Sequence, residues 1–303
     1  MLVFLTGATG FIGSRIVPEL LGAGHQVLGL TRSDRGAASL AAAGVQAHRG
    51  TLEDLDSLRA GAAQADAVIH TAFDHNFANF VANCEKDRRV IAALGSVLKG
   101  SDRPLIITSG TGMGDPGNRQ PATEDVFNKD HPNPRAASEM AGNALLEAGV
   151  NVSVMRLPQV HDTARQGLIT PFVEISREKG VAAYVGDGGN RWPAAHVLDV
   201  AKLYQLALDN ARPGARYHAV AEEGMLVRDI AAVVGAGLGV PVTSLTPEEA
   251  PGHFGWLGMF AGMDLPASSA LTRARLGWQP TGPGLIEDLT QMDYSRPAAA
   301  AEG

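Results

Sequence analysis

Gly7, Gly10 and Gly13 are spaced three apart in Thr6-Gly7-Ala8-Thr9-Gly10-Phe11-Ile12-Gly13. A turn of this kind offers backbone N–H groups to an anion. Gly7 permits the tight turn, Gly10 lets a pyrophosphate approach the main chain, and Gly13 lets a following helix pack closely on the preceding strand. Thr9, Phe11 and Ile12 complete the expected cradle. Further on, Thr31-Arg32-Ser33-Asp34 places an arginine nineteen residues after Gly13. An acid there would accept bonds from ribose hydroxyls, whereas an arginine accommodates a 2′-phosphate. Arg32 precedes the acid and can grip a phosphate with its planar fork, and Ser33 can add a hydroxyl. Asp34 is expected to cap the next helix. The pattern predicts a bound dinucleotide and, of the two nicotinamide forms, NADP(H). An exposed loop arginine is the alternative for Arg32.

Strands and helices must hold these residues in place. Leu2 to Thr6 is an apolar, β-branched run of strand length, and helical spacing begins through Ile16, Val17, Leu20 and Leu21. Further strands are expected at Gln26 to Leu30, Val45 to Arg49, Asp66 to Thr71, Pro104 to Thr108 and Asn151 to Arg156. Helices are expected around Ser39 to Ala43, from Phe77 to Leu98 and from Ala136 to Ala148. Apolar strands alternating with helices imply an α/β fold, a Rossmann-type doubly wound parallel sheet that binds ligands at the carboxyl ends of its strands. Thr51 and Leu52, after the third strand, are candidate cofactor contacts. Past Pro158 the regularity fades. Residues 1–160 are assigned to the nucleotide-binding domain, to which 196–220 returns with a helix at Val197 to Leu208 and an extra strand at Arg216 to Val220. A smaller, mainly helical substrate lobe is expected over 161–303. Gly255, Trp256, Leu257, Met259 and Phe260 are apolar enough to line a substrate pocket, or simply to pack in a core.

At 303 residues the chain can bury a large domain and a smaller one. Its net charge of -7 gives no basic field for nucleic acid or anionic lipid. Cys84 is the single cysteine, so no intrachain disulfide or cysteine metal cluster forms, and a reducing cytoplasm fits. No charged leader precedes the first strand, and no run of about 18 apolar residues follows it. A cytoplasmic protein with a small-molecule partner, no nucleic acid and no membrane is therefore expected. Pro297 to Gly303, short and alanine-rich, is expected to be disordered.

The sequence resembles the extended and atypical short-chain dehydrogenase/reductases, among them the NAD-dependent epimerase/dehydratase-like proteins. The resemblance rests on TGATGFIG at 6–13, DAVIHTAF at 66–73, PLIITSGTGMG at 104–114, VMRLPQVH at 154–161 and WPAAHVLDVAKLY at 192–204. VRDIAAVVG at 227–235 and RARLGWQP at 273–280 are similar to the carboxyl-terminal lobe of these proteins. It implies a bound nicotinamide dinucleotide, a substrate between the lobes, and dimerisation through the long fourth and fifth helices. By position, Ser109 matches the substrate-binding serine after the fifth strand, Leu157-Pro158 the turn beside the nicotinamide, and Ala72 and Phe73 residues that line the cofactor. His161 takes the place of a tyrosine in the downstream turn. Asn83 or Asp87 is the counterpart of a helix asparagine.

The chain departs from this family at the proton donor. The Tyr-x-x-x-Lys stretch reads Arg135-Ala136-Ala137-Ser138-Glu139, and Tyr184, Tyr204, Tyr217 and Tyr294 are followed four residues later by Gly188, Leu208, Ala221 and Ala298. A guanidinium cannot give up a proton at neutral pH, but it can stabilise a developing oxyanion. Glu139 could donate only if burial kept it protonated. Ser109 can orient an oxygen, and His161, His75 and Asp74 are further donors near strand ends. The structural alternatives are an Arg135–Glu139 ion pair on the helix surface, a packed His161, and His196 with Asp199 as a helix start. No histidine spacing predicts a metal site. Three functions stay open: an NADP(H)-dependent oxidoreductase of a carbonyl, imine or activated alkene, a redox-neutral epimerase, isomerase or lyase, and a non-catalytic nucleotide sensor.

Overall fold

A computed structural model describes residues 1–296, so Pro297 to Gly303 lie outside the described residues. The first half runs β1 (Leu2–Thr6), α1 (Gly13–Gly22), β2 (Gln26–Thr31), α2 (Asp34–Ala42), β3 (Gln46–Arg49), α3 (Leu55–Gln64), β4 (Ala67–His70), α4 (Phe80–Ser96), β5 (Leu105–Gly110), α5 (Ala136–Glu147) and β6 (Val152–Leu157). Next come β7 (Gln159–His161), α6 (Ile169–Lys179), β8 (Ala182–Val185), β9 (Arg191–His196), α7 (Val197–Asn210), β10 (Arg216–His218), β11 (Glu222–Leu226) and α8 (Val227–Leu238). β12 (Val242–Leu245), α9 (Ala250–Phe254), α10 (Gly258–Ala261), α11 (Ala270–Leu276) and α12 (Leu285–Gln291) complete it.

Seven strands form one parallel sheet in the order β10-β6-β5-β4-β1-β2-β3. Val3, Phe4, Leu5, Val68, Ile69, Ile106 and Ile107 are fully buried because helices cover both faces of the sheet. The chain order reverses between β1 and β4, and the crevice outside their carboxyl ends is where an open α/β sheet takes its ligand. α1 lays Ile16, Val17 and Leu20 against the sheet and packs beside α7. Burying each such side chain contributes about 1.5–3 kcal/mol. β10 pairs with β6 at the edge of the sheet, Tyr217 opposite Met155, and ends at His218 rather than at Val220.

A second core gathers Phe172, Val173, Trp192, Ile230, Val234, Phe254, Leu257 and Leu289. The later part of the chain is not only helical, since β11-β9-β7 and β12-β8 form two small sheets. Trp278 packs in the first core instead, its indole N–H donating to the carbonyl of Asp199 at 3.0 Å. Two expectations are corrected at helix starts. Ser33, not Asp34, caps α2, accepting from the N–H of Gly36 at 3.0 Å, and Asp34 is the first helical residue. The helix expected from Phe77 opens with a 3-10 turn at Phe77–Asn79 because the side chain of Asn76 accepts from the N–H of Ala78. His196 does cap α7, its ring accepting from the N–H of Leu198.

Candidate functional site

The turn after β1 depends on two glycines. Gly7 has φ +73°, and a Cβ on Gly13 would lie 2.0 Å from the Gly7 carbonyl oxygen. No side chain fits there, so α1 starts in direct backbone contact with the turn; Ser14 N–H donates to the Gly10 carbonyl at 3.0 Å, and the positive end of the helix dipole at this turn favours an anion. Gly10 donates to the Gly7 carbonyl at 2.9 Å, with Thr9, Phe11 and Ile12 around it. The neighbouring β4 end is tied to the same place: the Thr71 hydroxyl donates to the Thr6 carbonyl, and the Ala72 N–H to Thr6 Oγ1. Ala72 and Phe73 thereby follow directly beside the turn. These residues fit a dinucleotide pyrophosphate.

At the end of β2, Arg32 is exposed and makes no ion pair or hydrogen bond among the described residues. Asp34 is engaged by Arg49 at 2.8 Å, and Thr31 stands opposite Arg49 in the sheet register. Ser33 accepts the Gly36 N–H and keeps its own proton to donate. Thr51 and Leu52 follow β3 half-buried, with Thr51 Oγ1 accepting from the N–H of Glu53.

The polar centre lies between β4, β5, α4 and α5. α4 turns Asn83, Asp87, Val90, Ile91 and Leu94 inward, a helical stripe whose first members are polar because they reach the open end of the sheet. Asp87 is 2% exposed. It accepts from Arg135 Nη1 at 2.8 Å, Ser138 Oγ at 2.6 Å and His70 Nε2 at 3.0 Å. In the neutral imidazole this leaves His70 Nδ1 to accept from the Thr6 hydroxyl at 2.7 Å. Burial alone would raise the Asp87 carboxyl, but the Arg135 guanidinium and the bonds from His70 and Ser138 outweigh it and hold its pKa down to about 2. Asn83 holds the preceding loop instead, donating to the carbonyls of Asp74 and Asn76. Of the two candidate helix residues, Asp87 is therefore the one that meets Arg135.

Arg135 stands at the head of α5. Nη2 donates to the Thr108 carbonyl at 3.0 Å, and the guanidinium carbon lies 3.9 Å from the ring centroid of Phe73. Two of its five N–H groups are used in these bonds to Asp87 and Thr108, and the planar fork is fixed on three sides. Ser109 follows Thr108 on β5; its hydroxyl is buried and has no hydrogen-bond partner among the described residues. Leu157 pairs with Gly110, so Pro158 comes next to the end of β5. The Thr108 hydroxyl donates to the His70 carbonyl and meets the Tyr204 hydroxyl at 2.6 Å, and burial pushes the Tyr204 phenol up.

Glu139 and His161 are placed elsewhere. Glu139 is fully buried, accepts both Nε and Nη2 of Arg156 at 2.8 Å, and receives Arg216 Nε at 3.1 Å. The expected Arg135–Glu139 surface pair is thus absent, because each residue finds a buried partner on another element. His161 is fully buried on β7, donating from Nδ1 to Asp288 at 2.6 Å, while Nε2, 3.9 Å from Glu222 Oε2, has no hydrogen-bond partner among the described residues. Burial holds its pKa below the usual histidine value. His75 lies on the exposed loop edge-on to Phe73, and Asp74 is engaged by Lys86 at 3.0 Å and by the N–H of Asn76.

The sequence reading passed over His70 and Ser138. A histidine ending an apolar strand, opposite a carboxylate on the inward stripe of the following helix, is the pattern that marks them. Among the described residues no group of three or more His, Cys, Asp or Glu side chains is placed to hold a metal ion, and no helix is long and apolar enough to cross a membrane.

A profile of the NAD dependent epimerase/dehydratase family matches residues 3–221. An uncharacterized protein of Schizosaccharomyces pombe is 47% identical over 295 residues, 97% of this chain and 100% of its own length. An uncharacterized protein of Saccharomyces cerevisiae is 41% identical over 298 residues, 97% of this chain and 99% of its own. Among solved structures, the dTDP-glucose 4,6-dehydratase of Streptomyces venezuelae with NAD and TYD bound aligns with a TM-score of 0.76. That alignment covers 97% of this chain and 96% of the other at 20% identity, a likeness of fold.

Proposed function

The chain belongs to the NAD dependent epimerase/dehydratase family, and from that premise we propose that it is an NADP(H)-dependent oxidoreductase acting on a carbonyl, imine or activated alkene. The observation that carries this reading is the fixed guanidinium of Arg135, at the position where the resembling reductases have their tyrosine, next to the unpartnered hydroxyl of Ser109. When bound, the coenzyme supplies or takes the hydride at its nicotinamide. Reduction at an electrophilic carbon moves the C=O electron pair onto oxygen. Arg135 N–H groups and the Ser109 hydroxyl stabilise that oxyanion, and solvent water delivers the closing proton. An iminium needs no such proton on taking hydride, and a conjugated alkene yields an enolate that an arginine can hold, so the missing tyrosine matters less for both. Glu139 and His161 act in this scheme by holding β6, β10 and the second lobe in place.

The choice of NADP(H) rests on Arg32 having no ion pair or hydrogen bond among the described residues and on Asp34 being engaged by Arg49. The 2′-phosphate would meet Arg32 and Ser33, with Thr51 and Leu52 beside the adenine, and Ala72, Phe73 and Pro158 along the nicotinamide half. Pairing of two copies through α4 and α5 would cover Met140, which is 52% exposed. Titration calorimetry should show NADPH binding more tightly than NADH, and Arg32→Ala should weaken NADPH about tenfold or more while leaving NADH unchanged. Equal losses for the two defeat the phosphate assignment. NADPH consumption with a panel of carbonyls, imines and enones tests the reaction itself. Substrate conversion without net oxidation replaces the reading with a redox-neutral one.

A further inference from the structure

The loop between β4 and α4 meets the α9–α10 segment of the second lobe through aromatic rings. Phe77 lies flat on Trp256, with centroids 4.2 Å apart and planes 3° from parallel. Phe260 meets Phe77 and Phe80 edge-on at 6.3 and 6.4 Å, and Phe80 meets Phe73 at 6.3 Å. Phe73 in turn carries the Arg135 guanidinium on its face. A continuous row of rings therefore runs from the polar centre to the second lobe.

This row differs from an ordinary core. Phe73, Phe77 and Phe80 are only half-buried, Trp256 is 37% exposed and Met259 is 57% exposed. By contrast Trp192 and Trp278, in the two cores, are 1% and 2% exposed. The segment bearing Trp256 contains Gly252, Gly255, Gly258 and Gly262, and Gly255 has φ +55° and ψ -129°, a conformation essentially confined to glycine. Phe254 and Leu257 on either side are buried in the second core, so entry of a ligand requires the partly exposed Trp256 side chain to move off Phe77. A flat ligand entering between the two rings replaces one stacked pair by two. A hydroxyl-rich ligand against the same rings leaves its hydroxyls without partners, which opposes binding.

We propose that the site takes a planar, apolar substrate, an aromatic or conjugated carbonyl compound, with its oxygen at Arg135 and Ser109 and its ring system between Phe77 and Trp256. The proposal deepens the hydride-transfer reading and rests on it only for the polar end. The probe is benzylideneacetone, a flat aryl enone, with UDP-glucose as the hydroxyl-rich comparison. Both are titrated by calorimetry in the presence of saturating NADP+, which cannot reduce them.

Saturable enone binding is expected, weakened about tenfold by Trp256→Ala and by Phe77→Leu, with UDP-glucose showing none. Because Trp256 is partly exposed, its fluorescence should be quenched by the enone, and the quench should vanish in Trp256→Phe. No saturable enone binding, tighter binding of UDP-glucose, or unchanged enone affinity in both variants, their melting temperatures being intact, overturns the proposal. Enone binding without NADPH oxidation sinks the hydride-transfer reading and leaves the substrate class standing. Oxidation of NADPH by small aliphatic carbonyls, unaffected by Trp256→Ala, sinks the substrate class alone.

Discussion

In the proposed reaction Arg135 takes the place of an acid without being one, and this sets what its removal should do. Bonded to Asp87 and to the Thr108 carbonyl and stacked on Phe73, its guanidinium loses little freedom when a substrate oxygen acquires charge. Arg135→Ala is expected to lower kcat by about 100-fold or more and Ser109→Ala by roughly tenfold, with NADPH affinity almost unchanged in both. Arg135→Lys should recover little, because an ammonium cannot present a planar fork to Asp87 and Thr108 together while lying on a ring. Steady-state kinetics with calorimetry checks this; unaltered kcat in Arg135→Ala and Ser109→Ala removes both from the mechanism.

At the scale of elements, α4 and α5 are joined through Asp87, which receives Arg135 and Ser138 from α5 and His70 from β4. The folded-state pKa of about 2 lies below the ordinary 3.8, so the unfolded chain binds more protons in acid. The stability that Asp87 contributes is complete above about pH 4 and is lost as pH falls through 2, on the order of 2 kcal/mol in all. Urea unfolding between pH 5 and pH 2.5 should therefore fall more steeply for the native chain than for Asp87→Asn. That variant should be weaker by about 3 kcal/mol at pH 7, where it leaves Arg135 unpaired in a buried place. Parallel slopes for the two proteins contradict this account.

For the whole molecule, a buried long-range polar link sits where β6, β10, α5 and the segment before α11 meet. His218 Nδ1 donates to the Ser268 carbonyl at 2.8 Å, which leaves Nε2 to accept from Arg156 Nη1 at 3.1 Å, while Arg156 is also bonded to Glu139. Burial, and then the charge of Arg156, push the His218 pKa down from 6.5 to about 3. Between those values the unfolded chain takes up a proton that the folded chain refuses, so stability falls as pH drops from about 6.5 towards 3, by roughly 4 kcal/mol. His218→Gln should flatten the stability profile over this window, read as the melting temperature from pH 7 to pH 4. An unchanged slope counts against a neutral buried His218. The link also ties sequence regions 139–156 and 216–268 into the same end of the molecule as the site.

Local sequence was enough for the parallel α/β class and the glycine turn, because both depend on short-range constraints. Apolar runs of strand length, closely spaced glycines and helical spacing are each complete within a few residues, and they placed the strands of the first half along the chain and the turn at Gly7 to Gly13; the order of the strands in the sheet came only from the tertiary structure. Helix caps were less legible: Ser33 and Asp34 compete at neighbouring positions, and only the reach of Arg49 from β3 draws Asp34 away. The partners of charged residues could not be read at all. Arg135 and Glu139 are one turn apart and suit each other locally, yet the first binds Asp87, 48 positions earlier, and the second binds Arg156 and Arg216. A buried charge takes the partner that desolvation makes indispensable, and chain folding, which brings α4, α5, β6 and β10 side by side, decides which partner that is.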